Sequence, residues 1–260
     1  MASSSSPQQP HTVKVRLFGV GQDTWPCLEN LWDFYNKKGI KTVFLSVGST
    51  ISAGADLEIA ETLGCPVHIL DSREETEKNW EEVKAILKNR KREETASAFT
   101  EKVETRWVLP KNIRYTKTMP SFCNGSISVE GASYPVSTWQ SCVATAATSM
   151  ALSEEQHRID ICKIALGEGL ERNSIYSLMD SPFRPGLLLV EWTNMPDEDL
   201  QTTLCAGHLQ TCGYSLLAKH RNRFFYMYND RCMYEICSWE TNKVENPMIS
   251  ELTKVLSQSK

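Results

Sequence analysis

Gly48-Ser49-Thr50 and Asp71-Ser72 are the residues whose types and spacing first point to chemistry. Each group closes an apolar, β-branched run, Thr42 to Val47 and Val67 to Asp71, and each precedes a segment of helical character. A glycine at a strand end lets a ligand come up against the backbone, and a helix N-terminus behind it receives polar or anionic groups. Asp71 lies 23 residues after Gly48, near the spacing at which a strand-end carboxylate takes the hydroxyls of a ribose. The chemistry would be recognition of a nucleoside. A tight turn followed by a helix-capping aspartate would use the same residues, so both readings stand at this point.

Further acids close later strands: the Gly167-Glu168-Gly169 turn after Ile159 to Leu166, and Glu191 at the end of Gly186 to Glu191. Gly19-Val20-Gly21 also follows a strand, but Thr24 replaces the third glycine of a dinucleotide fingerprint and no matching acid follows. Cys205, His208 and Cys212 share a helix face, yet paired Cys-x-x-Cys knuckles are absent, so no metal is expected. His68, inside an apolar strand, reads as a core histidine. The seven tryptophans are dispersed and read mostly as packing residues, though Trp192, just past Glu191, could line a pocket mouth. Neither a Gly-x-Ser-x-Gly elbow nor a Gly-x-x-x-x-Gly-Lys phosphate loop occurs, which removes hydrolase and kinase readings.

The elements that must position these groups follow from patterning. Val13 to Gly19 alternates as a short strand. Leu28, Leu31, Trp32, Phe34 and Tyr35 form one helical face closed by Lys37, Lys38 and Gly39. Thr42 to Val47, a helix over Gly54 to Leu63 closed by Gly64, and Val67 to Asp71 make a strand–helix–strand unit, the connection that generates parallel sheets. A charged helix is expected over Glu74 to Arg92, acidic at its start and basic at its end. Ile113 to Thr116 reads as a strand, and a hairpin is expected around Asn124-Gly125 and Glu130-Gly131, with Asn124-Gly125-Ser126 a turn. Helices are expected over Ser137 to Met150, Arg172 to Met179 and Asp197 to Cys212. Leu187-Leu188-Leu189-Val190 shows no alternation, as befits a central strand covered on both faces. Tyr214 to Ala218 and Phe224 to Tyr228 close the chain as an antiparallel pair. The expectation is a doubly wound, Rossmann-like α/β domain with a mostly parallel sheet and a C-terminal antiparallel hairpin.

Composition bounds the rest. The 260 residues are 41% hydrophobic and 23% charged, with a net charge of -4. That is ordinary for a globular domain and offers no basic footprint for nucleic acid. No apolar run reaches the ~20 residues of a membrane span, and Met1 to Pro10 lacks the features of a signal peptide. Nine scattered cysteines suit reduced, core-filling thiols. A cytoplasmic protein is expected, with a disordered tail over 1–12, one domain over 13–237 and an extension over 238–260.

Several segments together resemble the FkbM-type methyltransferase-like family. Phe44-Leu45-Ser46-Val47-Gly48-Ser49, then Ala55-Asp56-Leu57-Glu58-Ile59-Ala60, then Gly64-Cys65-Pro66-Val67-His68-Ile69-Leu70-Asp71 look like its opening. Gly19-Val20-Gly21-Gln22-Asp23 with Trp25 and Cys27 resembles its lead-in. Ile159-Asp160-Ile161-Cys162-Lys163-Ile164 with Glu168-Gly169-Leu170-Glu171 resembles its fourth-strand segment, Leu188-Leu189-Val190-Glu191 the next strand, and Gly213-Tyr214 the start of the last hairpin.

The resemblance implies an S-adenosylmethionine-dependent methyltransferase fold with S-adenosylmethionine as cofactor. Gly48, Ser49 and Thr50 would lie at the cofactor loop, Gly48 and Ser49 facing the methionine part. Asp71, with Ser72 beside it, would hold the ribose. Glu168 or Glu191 would take the acceptor's proton, the acceptor being a small molecule or glycan methylated on oxygen. The chain departs from the family where Ala165 stands in place of an acid, where Leu166-Gly167 lengthens the following turn, and where only Gly48 and Gly54 remain of a glycine-rich loop. The alternative is therefore a catalytically inactive methyltransferase-like binding or scaffolding protein.

Overall fold

The computed structural model describes residues 15–20, 23–29, 41–48, 54–78, 113–129, 131–150 and 157–228. Two strands, β1 (Val15–Val20) and β2 (Asp23–Leu28), pair as an antiparallel hairpin. β3 (Lys41–Val47), α1 (Gly54–Leu63) and β4 (Val67–Leu70) form the expected crossover, and β5 (Ile113–Thr116) extends the sheet in parallel. The chain is also helical over 74–78, where the described part of the charged segment ends. A three-stranded sheet follows: β6 (Met119–Ser121), β7 (Gly125–Val129) and β8 (Ala132–Thr138), in the order β6-β8-β7. The core resumes with α2 (Trp139–Ser149), β9 (His157–Ile164), α3 (Leu170–Asp180), β10 (Leu187–Glu191), α4 (Leu200–Thr211) and the closing hairpin β11 (Tyr214–His220) and β12 (Arg223–Tyr228).

The main sheet has seven strands in the order β11-β12-β10-β9-β3-β4-β5. The five strands from β10 to β5 run parallel, while β12 is antiparallel to both neighbours. This is the expected doubly wound fold, and the reversed β12 inserted next to β10 gives the arrangement of a Rossmann-like methyltransferase fold.

Strand alternation distributes two cores. Leu45, Val47, Leu70, Cys162, Ile164, Leu188, Val190 and Tyr226 face α2, α3 and α4. Their neighbours in sequence, Phe44, Ile69, Ile161, Leu187, Leu189 and Phe225, face α1 and the β1–β2 hairpin, which contributes Phe18, Trp25 and Cys27. The fully apolar Leu187 to Val190 run is thus used on both faces, each of its side chains being 0% exposed. Burying one such Leu contributes roughly 1.5–3 kcal/mol.

Three local expectations change. β2 was not foreseen: Leu28 ends a strand, and the helical face expected beyond it lies outside the described residues, as does the charged segment past 78. The hairpin joins Val129 to its partner Ala132, whereas Asn124-Gly125 leads into β7 and the Asn124 carboxamide oxygen accepts from the Thr138 amide at 2.9 Å. Trp192 is fully buried in the core with α3 and α4, not at a pocket mouth, packed in the same cluster as Val190 and Leu209.

Candidate functional site

Consecutive connections leave the parallel sheet in opposite directions between β3 and β9, and such a reversal opens a crevice at the carboxyl ends of the strands. Four pieces of chain meet there: Gly48 after β3, 71–73 after β4, 165–169 after β9, and Glu191 at the end of β10.

Gly48 has φ +74°, and a Cβ there would stand 2.5 Å from the Ala165 carbonyl oxygen and 2.8 Å from the Leu166 Cα. The glycine is needed because the chain's own backbone approaches it. Its amide donates to the Leu70 carbonyl at 2.8 Å, and the Ala165 amide donates to the Val47 carbonyl at 2.8 Å, so the three strand ends are tied together. The following turn is unusual. Gly167, Glu168 and Gly169 all have positive φ, at 75°, 55° and 75°, and a non-glycine residue held there stores strain of about 1 kcal/mol or more. Thr193 braces this turn: its Oγ1 accepts from the Gly169 amide at 3.2 Å. The same hydroxyl donates to buried Glu171, which also accepts from the Thr193 amide, each at 3.0 Å.

Asp71 is fully buried. Its Oδ1 accepts from the Arg73 amide at 2.9 Å and from Arg73 Nε at 3.0 Å. Its Oδ2 accepts from Arg73 Nη2 at 2.6 Å, from Arg73 Nε at 3.0 Å and from Thr76 Oγ1 at 2.7 Å. The Arg73 guanidinium continues across the crevice, donating to the Gly48 carbonyl at 2.6 Å and to the Leu166 carbonyl at 3.4 Å. Burial opposes the charge on Arg73, but the bond to Asp71 and the carboxylates of Asp71, Glu75 and Glu168 outweigh it and lift its pKa above the ordinary arginine value. Tyr115 donates its hydroxyl to the Asp71 carbonyl at 2.9 Å, and burial together with the charges of Asp71 and Glu77 pushes its pKa up to about 12.

The structure brings Gly48, Asp71 and the turn that carries Glu168 to the same end of the sheet, linked through Arg73. Ser72 is 3% exposed, and its Oγ is buried with no hydrogen-bond partner among the described residues. Glu168 is exposed. Glu191 is directed elsewhere: it pairs with Arg223 at 3.5 Å and accepts from Asn222 at 3.3 Å. Ser49 and Thr50 lie outside the described residues. Arg73 and Thr76 were missed, although a basic residue two positions after a strand-end aspartate is a readable signal: its side chain can fold back onto that carboxylate.

Other groups resolve as structural. His68 is 0% exposed and hydrogen-bonded through both ring nitrogens, to Thr116 at 3.0 Å and Ser149 at 2.9 Å. Burial and the nearby Arg114 charge lower its pKa to about 4. Cys205 is buried in the core while His208 is exposed, with Cys212 Sγ 3.7 Å from His208 Nε2. Cys27, Cys65, Cys142, Cys162 and Cys205 are all buried free thiols.

No protein-family model matches the chain. No curated protein matches it in sequence. Two of the solved structures similar in shape illustrate the match. A precorrin-6y C5,15-methyltransferase from Geobacter metallireducens is 10% identical over 81% of this chain and 91% of its own, with a TM-score of 0.38. A fibrillarin pre-rRNA processing protein from Methanococcus jannaschii is 7% identical over 88% and 86%, also with a TM-score of 0.38. Likenesses this distant say nothing of the chemistry of this chain.

Proposed function

We propose that the chain is an S-adenosylmethionine-dependent methyltransferase that acts on an oxygen of a small molecule or glycan. One observation carries the reading: Asp71 is a fully buried carboxylate at the carboxyl end of the strand beside the sheet's reversal point, facing Gly48 across the crevice through Arg73. The donor set fits the cofactor in kind. Asp71 would hold the ribose, Ser72 beside it has a buried Oγ without a hydrogen-bond partner among the described residues, and the tight backbone at Gly48 borders the same space. When bound, the cofactor supplies a methyl group on a sulfonium; the chain orients the acceptor against it, and alignment of this kind removes much of the barrier. Glu168, exposed on its strained turn, would accept the proton of the acceptor hydroxyl. A cytoplasmic location belongs to the same reading, supported by the five buried free thiols. Net charge -4 supports an acceptor other than nucleic acid.

The test is calorimetric titration of the full chain with S-adenosylmethionine and S-adenosylhomocysteine up to millimolar concentration, with Asp71→Ala as control. Saturable binding abolished in the variant is the expected result. No binding of either ligand by the folded protein or by a folded Arg73→Met variant overturns the reading. It would favour a non-catalytic methyltransferase-like scaffold, a second reading supported by Ala165 and by the guanidinium that occupies Asp71.

A further inference from the structure

Asp71 makes five hydrogen bonds as an acceptor, three to the Arg73 side chain, one to the Arg73 amide and one to Thr76. A carboxylate offers about four lone-pair sites, so no acceptor capacity is left for a pair of ribose hydroxyls. The Arg73 guanidinium also spans the two neighbouring loops at the Gly48 and Leu166 carbonyls, so it fills the space between the ends of β3, β4 and β9. Its side chain is 30% exposed whereas that of Asp71 is 0% exposed, so the arginine is the wall between the carboxylate and solvent. A planar guanidinium with five donors in a fixed fork suits this bridging, and a lysine would not reproduce it.

We infer that Arg73 is an internal occupant of the nucleoside site, a latch that must swing off Asp71 before an adenosyl ligand binds. The inference rests on the methyltransferase reading above and concerns regulation of that same site. Glu168 and Glu75 are the anions whose charges already act on Arg73, and they are the groups available to receive the released guanidinium. A closed state of this kind lowers apparent affinity in proportion to the fraction of molecules with the latch open.

The experiment compares S-adenosylhomocysteine binding, by calorimetry on the full chain, for the unaltered protein, Arg73→Met, Arg73→Lys and the Arg73→Met/Asp71→Asn pair, each checked for folding by circular dichroism. Arg73→Met should bind at least tenfold more tightly than the unaltered protein, and the added Asp71→Asn should abolish the gain. If Arg73→Met does not fold, Arg73→Lys decides. It keeps a charge beside Asp71 but cannot bridge three sites, so it should bind severalfold more tightly. Equal affinity for the unaltered protein and a folded Arg73 variant overturns the latch and leaves the methyltransferase reading standing. Weaker binding by the variants also overturns it, making Arg73 a ligand contact. No binding by any folded variant overturns both.

Discussion

Two carboxylate–cation pairs at the same end of the sheet use nearly the same chemistry in opposite ways. Under the β1–β2 hairpin, Asp56 accepts from Lys163 Nζ at 2.5 Å and from Ser46 Oγ at 2.6 Å. At the crevice, Asp71 accepts from Arg73 Nη2 at 2.6 Å and from Thr76 Oγ1 at 2.7 Å. In the first pair both partners are sealed, with side chains 5% and 2% exposed, and the ammonium sits 4.7 Å from the centre of the Trp25 ring. Arg223 lies over the same ring at 4.8 Å, so the hairpin acts as a lid. In the second pair the carboxylate is sealed but the cation is 30% exposed. A charge walled in on every side has only a structural use, since nothing can exchange with it. A buried carboxylate closed off by one movable side chain can change partner. The two clusters differ in the exposure of the cation, not in the donor set.

The largest effect that would test this contrast is at Lys163. Lys163→Met takes the Lys163 ammonium away from buried Asp56, which should cost about 3–5 kcal/mol in urea denaturation. Adding Asp56→Leu to it should restore most of the loss. Arg73→Met, with its cation partly solvated, should cost only about 1–2 kcal/mol. If the two losses are equal, water reaches both clusters alike and the distinction collapses.

Gly48→Ala addresses the crevice side from the backbone. The new Cβ would meet the Ala165 carbonyl at 2.5 Å in a left-handed conformation, so a loss of about 2–4 kcal/mol is expected from steric strain and forced loop movement. A harmless substitution would mean that the loops after β3 and β9 part easily, and the crevice would then be open without any movement of Arg73.

What the sequence revealed follows the same line between periodic and local signals. The helix Gly54–Leu63, the strands Ile113–Thr116 and Leu187–Glu191 and the closing hairpin were legible because burial imposes a period or an unbroken apolar run. β2 was not, because Asp23-Thr24-Trp25-Pro26-Cys27-Leu28 carries a proline, which normally argues against a strand, and it is tolerated in this two-stranded hairpin. Gly48 and Asp71 were legible as strand-end residues of the right spacing. Their true neighbours were not: the Ala165–Leu166 backbone that presses on Gly48 lies more than a hundred residues away. Glu168 and Glu191 looked equivalent as strand-end acids. Only the pairing of β10 with the reversed β12, which sets Glu191 opposite Arg223, separates them.

His68 offers a smaller test on the strand that ends at Asp71. Its folded pKa is lowered from 6.5 to about 4, chiefly by burial. The unfolded chain therefore binds a proton that the folded chain refuses as pH falls from about 6.5 towards 4, and stability should drop over that window by about 2–3 kcal/mol. In thermal melts His68→Gln should flatten this part of the profile, whatever its effect at pH 7. An unchanged slope would assign the acid sensitivity to other groups and would remove His68 as an internal standard for burial beside the crevice.

The smallest effect separates the two clusters most directly, because it removes one hydroxyl from each. Ser46→Ala takes a donor from Asp56 where no solvent can replace it, and should cost about 1–2 kcal/mol. Thr76→Val removes the matching donor from Asp71 while keeping the side-chain volume, and should cost about 1 kcal/mol or less, because the Arg73 fork remains and solvent lies close to it. Ligand affinity gives the second axis. Thr76→Val frees one lone pair of Asp71 for a ribose hydroxyl, so S-adenosylhomocysteine should bind it somewhat more tightly. Ser46→Ala should leave affinity unchanged in a folded protein. If Ser46→Ala moved affinity and Thr76→Val did not, the sealed cluster would be the one coupled to ligand, and the roles drawn from exposure would have to be exchanged.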